Sequence, residues 1–240
     1  MEMLWMTAKK QVDSFVDGVK EQLGGVVLVV ASIWAVYALD TLVYFVDFSQ
    51  WFAIKPLKLS GIHGILTMPF VHVNLGHIVY NTLTLVVALL ALAAIRPMTW
   101  FQVLVSIGVA SGVLTWIFGG SAPIVGASGV VMGLVSFLVA PGAFLLAWWG
   151  YNRITKQSKP FPLQVQPIPL VVSALVGFFY LDNLFFNLVP IPGFTTGNHR
   201  SWSAHWCGAV AGLLVAFVFS RNDHVAATDG RMIVREETVS

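Results

Sequence analysis

The chain has 240 residues, of which 57% are hydrophobic and 10% are charged, and its mean hydropathy is +0.80. Soluble globular domains are far more polar, so the composition excludes a water-soluble protein and favours one polytopic membrane domain. The formal net charge is only +2 and the basic residues are scattered, so we expect no nucleic-acid partner. Cys207 is the one cysteine, and no Cys/His grouping has zinc spacing, so we expect no disulfide, metal or cofactor.

Residues 1–25 predict an amphipathic helix that lies on the membrane surface. Apolar residues recur there at helical spacing and charged residues fill the other positions. Gly24 and Gly25 close the pattern. The segment lacks the small-residue cleavage site of a secretory signal, so we expect it to stay attached and to be cytoplasmic.

Six apolar segments follow, each about long enough to cross the ~30 Å of bilayer hydrocarbon. They predict an all-α fold, a bundle of six transmembrane helices over residues 26–219, followed by a polar, mobile cytoplasmic tail over 220–240. The loop at 47–72 carries several apolar residues, including Trp51 and Ile54, and is expected to rest in the membrane interface. The approximate spans are 26–46, 73–95, 99–118, 128–149, 167–189 and 204–219.

The basic residues predict the orientation of these spans. With the N-terminus inside, ten of the thirteen Lys and Arg residues fall on the inner side and three on the outer side. Because basic loops tend to stay cytoplasmic, both termini are predicted to be inside. The even-numbered spans therefore run from the outer to the inner face.

Four polar residues within the apolar spans mark a candidate site, because hydrocarbon disfavours polar groups that have no function. His77 and Asn81 lie four apart, and so on one helix face, in the run HVNLGHIVYN. Ser128 begins the fourth span in GASGVVMG, and His205 begins the sixth in SAHWCGAVAG. All four fall at one depth beneath the outer surface, and a serine with a histidine at one depth predicts nucleophilic catalysis.

Two glycine pairs predict that the fourth and sixth spans pack closely. Each pair forms a small-xxx-small stripe, which lets two helix backbones approach each other, although either pair alone is also typical of ordinary packing. Close approach would bring the serine hydroxyl within reach of the imidazole. The pairs are Gly129 with Gly133 and Gly208 with Gly212.

These motifs, in this order over about residues 70–215, resemble the rhomboid family of intramembrane proteases. The resemblance implies that Ser128 of G-x-S-G is the nucleophile and that His205 of A-H-x-x-G is its general base. It implies that His77 and Asn81, with the Ser128 backbone N–H, hold the oxyanion, and that His72 has a supporting role. It also implies supporting roles for Gly126, Gly129, Met132, Gly208 and Gly212.

Two features depart from the pattern of that family. Met132 stands where many bacterial members carry a tyrosine that stacks on the catalytic histidine, and the usual Trp-Arg pair of the first long loop is missing. These departures concern how the histidine is positioned and how the loop is built more than they concern the reaction.

The resemblance implies an intramembrane serine endopeptidase that cleaves transmembrane segments near the outer face of a bacterial plasma membrane. Its partners would be transmembrane substrates and the lipid bilayer. Two other functions stay open: a catalytically inactive rhomboid-like protein that binds transmembrane helices, and a transporter or channel with a polar path that includes Asp182. Asp182 could also orient His205, although the family needs no aspartate, and Cys207 points to another helix face than His205.

Overall fold

A computed structural model describes residues 2–43, 46–157, 170–178, 180 and 199–237. Over those residues the fold is all-α, and the β pairing there is limited to an isolated bridge between Ile54 and Ile124. Short 3₁₀ turns cover Leu59–Gly61 and Met68–Phe70. The helices are α1 (Glu2–Leu42), α2 (Phe48–Phe52), α3 (Gly64–Thr67), α4 (Leu75–Ile95), α5 (Trp100–Phe118), α6 (Ser128–Ile154), α7 (170–178) and α8 (His199–Glu237).

Within the described residues, five helical segments are long and apolar enough to cross a membrane, and they overlap five of the six predicted spans. The chain is therefore a multi-pass integral membrane protein with an all-α bundle. The remaining predicted span, 167–189, lies mostly outside the described residues. Its described part contains the helix α7. The five segments are Val19–Leu42, Leu75–Ile95, Trp100–Phe118, Ser128–Ile154 and Trp202–Arg221.

One predicted helix end is wrong. α1 continues through Gly24 and Gly25, where the pattern predicted an end. Gly25 serves a close contact instead, because a β-carbon there would lie 2.7 Å from the Trp100 ring of α5. The membrane-spanning part of α8, Trp202–Arg221, ends close to residue 219, where the sixth span is predicted to end, and the helix itself continues to Glu237.

The loop between α1 and α4 is hydrogen-bonded to the end of α5 and to the segment that connects α5 with α6. Ile54 is fully buried, and its N–H and carbonyl pair with the carbonyl and N–H of Ile124 at 3.0 and 2.9 Å. The Leu57 N–H donates to the carbonyl oxygen of Trp116 on α5, at 2.9 Å. Trp51 and Leu57 are exposed, as a loop in the membrane interface requires, whereas Ile54 is an anchor.

α6 and α8 form the most extensively packed helix pair among the described elements. A β-carbon added to Gly208 would collide with the Gly129 carbonyl oxygen, and one added to Gly212 would collide with the Gly133 carbonyl oxygen. Only glycine permits so close an approach of two backbones. The predicted contact between the two glycine stripes is confirmed.

α5 and α7 brace α6 on its other sides. A β-carbon on Gly129 would lie 2.9 Å from the Ser111 hydroxyl oxygen of α5. Further along α6, the helix continues through Pro141, which cannot donate a backbone hydrogen bond. There the Ser173 hydroxyl of α7 donates to the Val139 carbonyl at 3.0 Å and accepts from the Gly142 N–H at 3.2 Å.

Substitution of Gly208 by alanine is expected to destabilise the protein by about 1–3 kcal/mol, because the new methyl must displace the Gly129 backbone. Thermal unfolding in detergent measures the effect. Gly150→Ala is the matched control, because a β-carbon at Gly150 meets no atom within 4 Å. Equal melting temperatures for the two variants would contradict the backbone contact.

Candidate active site

The first turn of α4 carries His77, and the next carries Asn81. Asn74 caps the helix, and its side-chain oxygen accepts a hydrogen bond from the His77 N–H at 2.8 Å. Asn81 is buried and His77 is half-buried. The cap therefore fixes the start of the helix that presents both side chains.

His72 joins α4 to the turn that precedes Ser128. Its ring is buried, and its Nε2 atom lies 3.0 Å from the Asn81 side-chain amide nitrogen and 3.4 Å from the Ala127 backbone nitrogen. Because a backbone N–H and an amide NH₂ only donate, Nε2 is the accepting nitrogen of a neutral ring. The His72 and His77 rings pack edge to face, with centroids 5.0 Å apart.

Gly126 brings the same turn over the His77 ring. A β-carbon at Gly126 would lie 2.6 Å from His77 Cε1 and 3.7 Å from Asn81 Nδ2. Its φ of +111° lies in the left-handed region that favours glycine. The Gly126 N–H donates to the Met68 carbonyl at 2.8 Å. The first glycine of G-x-S-G is thus required both by its backbone angle and by its neighbours.

α6 begins at Ser128, which is half-buried. The next residue, Gly129, faces α8, because a β-carbon there would lie 3.1 Å from the Ala204 carbonyl oxygen. Ala204 directly precedes His205, whose side chain is 9% exposed. The turn that carries Ser128 therefore packs against the turn that carries His205.

The start of α6 is also suited to hold a negative charge. Its N-cap residue is Ala127, which has no side chain to bond the N–H groups of the first turn. Uncapped N–H groups and the helix dipole together favour an anion at such a terminus. His77 and Asn81 border the same turn through Gly126.

The family model of the Rhomboid domain matches residues 60–222, which include every residue of this site. The chain belongs to the rhomboid family. Among the similar proteins, Uncharacterized protein Rv1337 of Mycobacterium tuberculosis is 29% identical over 181 residues, covering 72% of this rhomboid and 65% of the relative. Uncharacterized protein ML1171 of Mycobacterium leprae is 29% identical over 175 residues, covering 70% and 60%. This rhomboid thus spans less than two thirds of the length of these relatives.

The other predicted residues of this rhomboid are placed as follows. Met132, one turn after Ser128, is buried, so it fills space inside the bundle. Cys207 is buried as well. Asp182 lies outside the described residues.

Two neighbours of the site were missed by the sequence reasoning. Asn74 precedes the apolar run of the second span, and an asparagine there is a recognisable cap signal. Ser111 lies on α5 against Gly129 and is fully buried. No sequence signal identifies it, because serine is common in transmembrane helices and its neighbour depends on how three helices pack.

Burial lowers the pKa of His72 from 6.5 to about 4, with a further lowering by His77 and an opposing contribution from a hydrogen bond with the Phe70 backbone. His72 is therefore neutral at ordinary pH. The neutral ring is the form that accepts from Asn81 and Ala127 through Nε2.

Because the pKa of His72 is lower in the folded state than in the unfolded state, folding disfavours protonation of its ring. The stability contributed by neutral His72 is full above pH 6.5 and is lost as pH falls from 6.5 towards 4. The melting temperature of the wild type should fall over that window more steeply than that of His72→Gln, which cannot titrate. Parallel profiles would show that His72 does not link folding to pH.

Proposed function

We propose that this rhomboid is an intramembrane serine endopeptidase that cleaves transmembrane segments, with Ser128 as nucleophile and His205 as general base. The observation that carries the proposal is the glycine-mediated contact between α6 and α8, which joins the turns that bear these two residues. A serine beside a buried imidazole is the arrangement that activates a hydroxyl nucleophile.

In the proposed reaction, neutral His205 takes the proton from the Ser128 hydroxyl as Oγ attacks the scissile carbonyl carbon. The tetrahedral intermediate collapses when the peptide C–N bond breaks, and the leaving amine takes the proton from His205. An acyl-enzyme remains on Ser128. Water then gives a proton to His205 as it attacks the ester carbonyl. The bond between the acyl carbon and Ser128 Oγ breaks, and Oγ takes the proton back from His205, which releases the acid and restores the serine.

We propose that the oxyanion is held by the Ser128 backbone N–H, by His77 and by Asn81. The Asn81 amide carries two N–H groups, and one of them donates to His72, which leaves the other for the substrate oxygen. The uncapped start of α6 adds a favourable dipole. His72 then acts as a positioning residue, because it fixes both the Asn81 amide and the turn at Ala127.

The proposed setting is a bacterial plasma membrane, with residues 1–25 and 220–240 cytoplasmic and the membrane domain at 26–219. The ten-to-three distribution of basic residues supports the orientation. Similarity to mycobacterial proteins supports a bacterial membrane as the location. The substrates would be membrane proteins whose transmembrane segments enter from the bilayer. An inactive helix-binding rhomboid-like protein is the alternative, and the presence of both Ser128 and His205 argues against it.

The dyad is tested with wild type and variants reconstituted in vesicles with a model transmembrane substrate. Ser128→Ala and His205→Ala should each reduce cleavage by on the order of 10⁴-fold or more, and the double variant should be little worse, because the two residues act as one unit. Ser136→Ala, which changes another buried serine of α6, is the control and should keep its activity. Cleavage by Ser128→Ala would end the assignment.

Replacement of Asn81 by alanine should slow turnover per folded molecule by about 10²–10³-fold, the usual effect of losing one oxyanion donor. It should also cost about 1–3 kcal/mol of stability, because His72 loses its partner. Thr82→Val is the control: Thr82 accepts from the Trp34 indole N–H at 3.0 Å, so the variant should lose stability but not turnover. Normal turnover by folded Asn81→Ala would exclude the oxyanion role.

The orientation is tested by cysteine labelling in a Cys207→Ala background. Ser121, in the exposed turn between α5 and α6, should react as Ser121→Cys with an impermeant thiol reagent added outside cells. Gln157→Cys, just after α6, should react only after the cells are opened. The opposite pattern would invert the topology and move the site to the inner face.

A further inference from the structure

A cavity of about 640 Å³ lies between α1 and α5, under residues 65–70 of the first loop. Its walls are apolar side chains such as Leu28 and Ile33 of α1 and Leu104 of α5. Ala127 and Val130 form a further wall, so the cavity reaches one face of the first turn of α6, which carries Ser128. Its volume is within the range of specific ligand sites.

The polar groups of the lining are already paired. The Ser32 hydroxyl donates to the Val29 carbonyl of its own helix at 2.7 Å. The Trp100 indole N–H donates to the Gln22 side-chain oxygen at 2.8 Å. A polar ligand would therefore lose its hydrogen bonds with water and gain none here, which leaves hydrocarbon as the matching chemistry.

The position of the cavity between two membrane-spanning helices determines which apolar molecule can enter it. α1 and α5 both contain membrane-spanning segments, and the lining includes exposed side chains such as Leu28 and Phe101, so the cavity is open to the lipid-facing surface of the bundle. The Trp100–Gln22 hydrogen bond closes one end. Residues 65–70 close the other end, where Ile65 lies against Gly112 of α5. Bilayer lipid is the molecule that borders such a gap along its whole length.

We propose that an acyl chain of a bilayer phospholipid occupies this cavity and supports the first turn of α6. Ala127 and Val130 border the cavity and are only 2% and 5% exposed, so a chain in the cavity would lie against the packed start of α6. Ala127 also donates to His72, so the chain would lie behind the segment that joins His72 to Ser128. The proposal concerns lipid binding and does not depend on proteolysis.

The test uses the full chain in vesicles of palmitoyl-oleoyl phosphatidylcholine that contain a trace of phosphatidylcholine with a diazirine on its acyl chain. After irradiation, mass spectrometry of peptides should find adducts on Ile33 and Val130. Both side chains are 5% exposed, so lipid on the outer surface of the bundle does not reach them. Their labelling therefore reports entry into the cavity.

Gly108→Leu should fill the cavity, because Gly108 lines it and a β-carbon there meets no atom within 4 Å. Adducts on Ile33 and Val130 should fall about tenfold in this variant, equivalent to ~1.4 kcal/mol of lost binding. Gly150→Leu, an equally open helical glycine outside the cavity, should leave them unchanged. Melting temperatures near that of the wild type show that both variants are folded.

Equal labelling of Gly108→Leu and wild type, or no adducts on Ile33 and Val130, would overturn the proposal. A photoreactive amino acid placed at Leu104, which lines the cavity, should cross-link to lipid. Its cross-linking to a second copy of the chain or to a reconstituted transmembrane peptide, in place of lipid, would overturn the proposal as well. Each readout is independent of catalysis, so it separates a failure here from a failure of the protease assignment.

Discussion

The rest of the structure depends on the close contact between the backbones of α6 and α8. The carbonyl oxygens of Gly129 and Gly133 occupy the space that side chains at Gly208 and Gly212 would need. Lipid supplies no hydrophobic force between helices, so packing and hydrogen bonds must hold them together. Here the packing also sets the separation of the turns that bear the proposed nucleophile and base.

A second constraint acts at the start of α6, where His72 accepts hydrogen bonds from a side chain of α4 and from the backbone before Ser128. The two constraints hold the same turn from different sides. Glycine contacts place it against α8, while His72 and Gly126 place it over His77 and Asn81. For Ser128 as the proposed nucleophile, a turn held from two sides would leave little freedom to lose on reaching the transition state, which is what preorganisation requires.

Much of this arrangement could be predicted from the sequence, because a bilayer restricts the choices. Apolar length predicts the spans, and the glycine pairs predict the α6–α8 contact. The end of α1 was predicted wrongly because Gly25 looks like a terminator locally, whereas it serves a contact with Trp100, more than seventy residues away. The role of His72 as an acceptor for two segments was equally inaccessible, since it depends on the tertiary position of Ala127.

The central claim is that Ser128 is an activated nucleophile. The most direct measurement is reaction of the folded protein in detergent with a fluorophosphonate, followed by peptide mapping of the adduct. A Ser128–His205 dyad should give one adduct, on Ser128, that disappears in His205→Ala although that variant remains folded. An adduct on another residue, or a Ser128 that reacts equally well without His205, would contradict it.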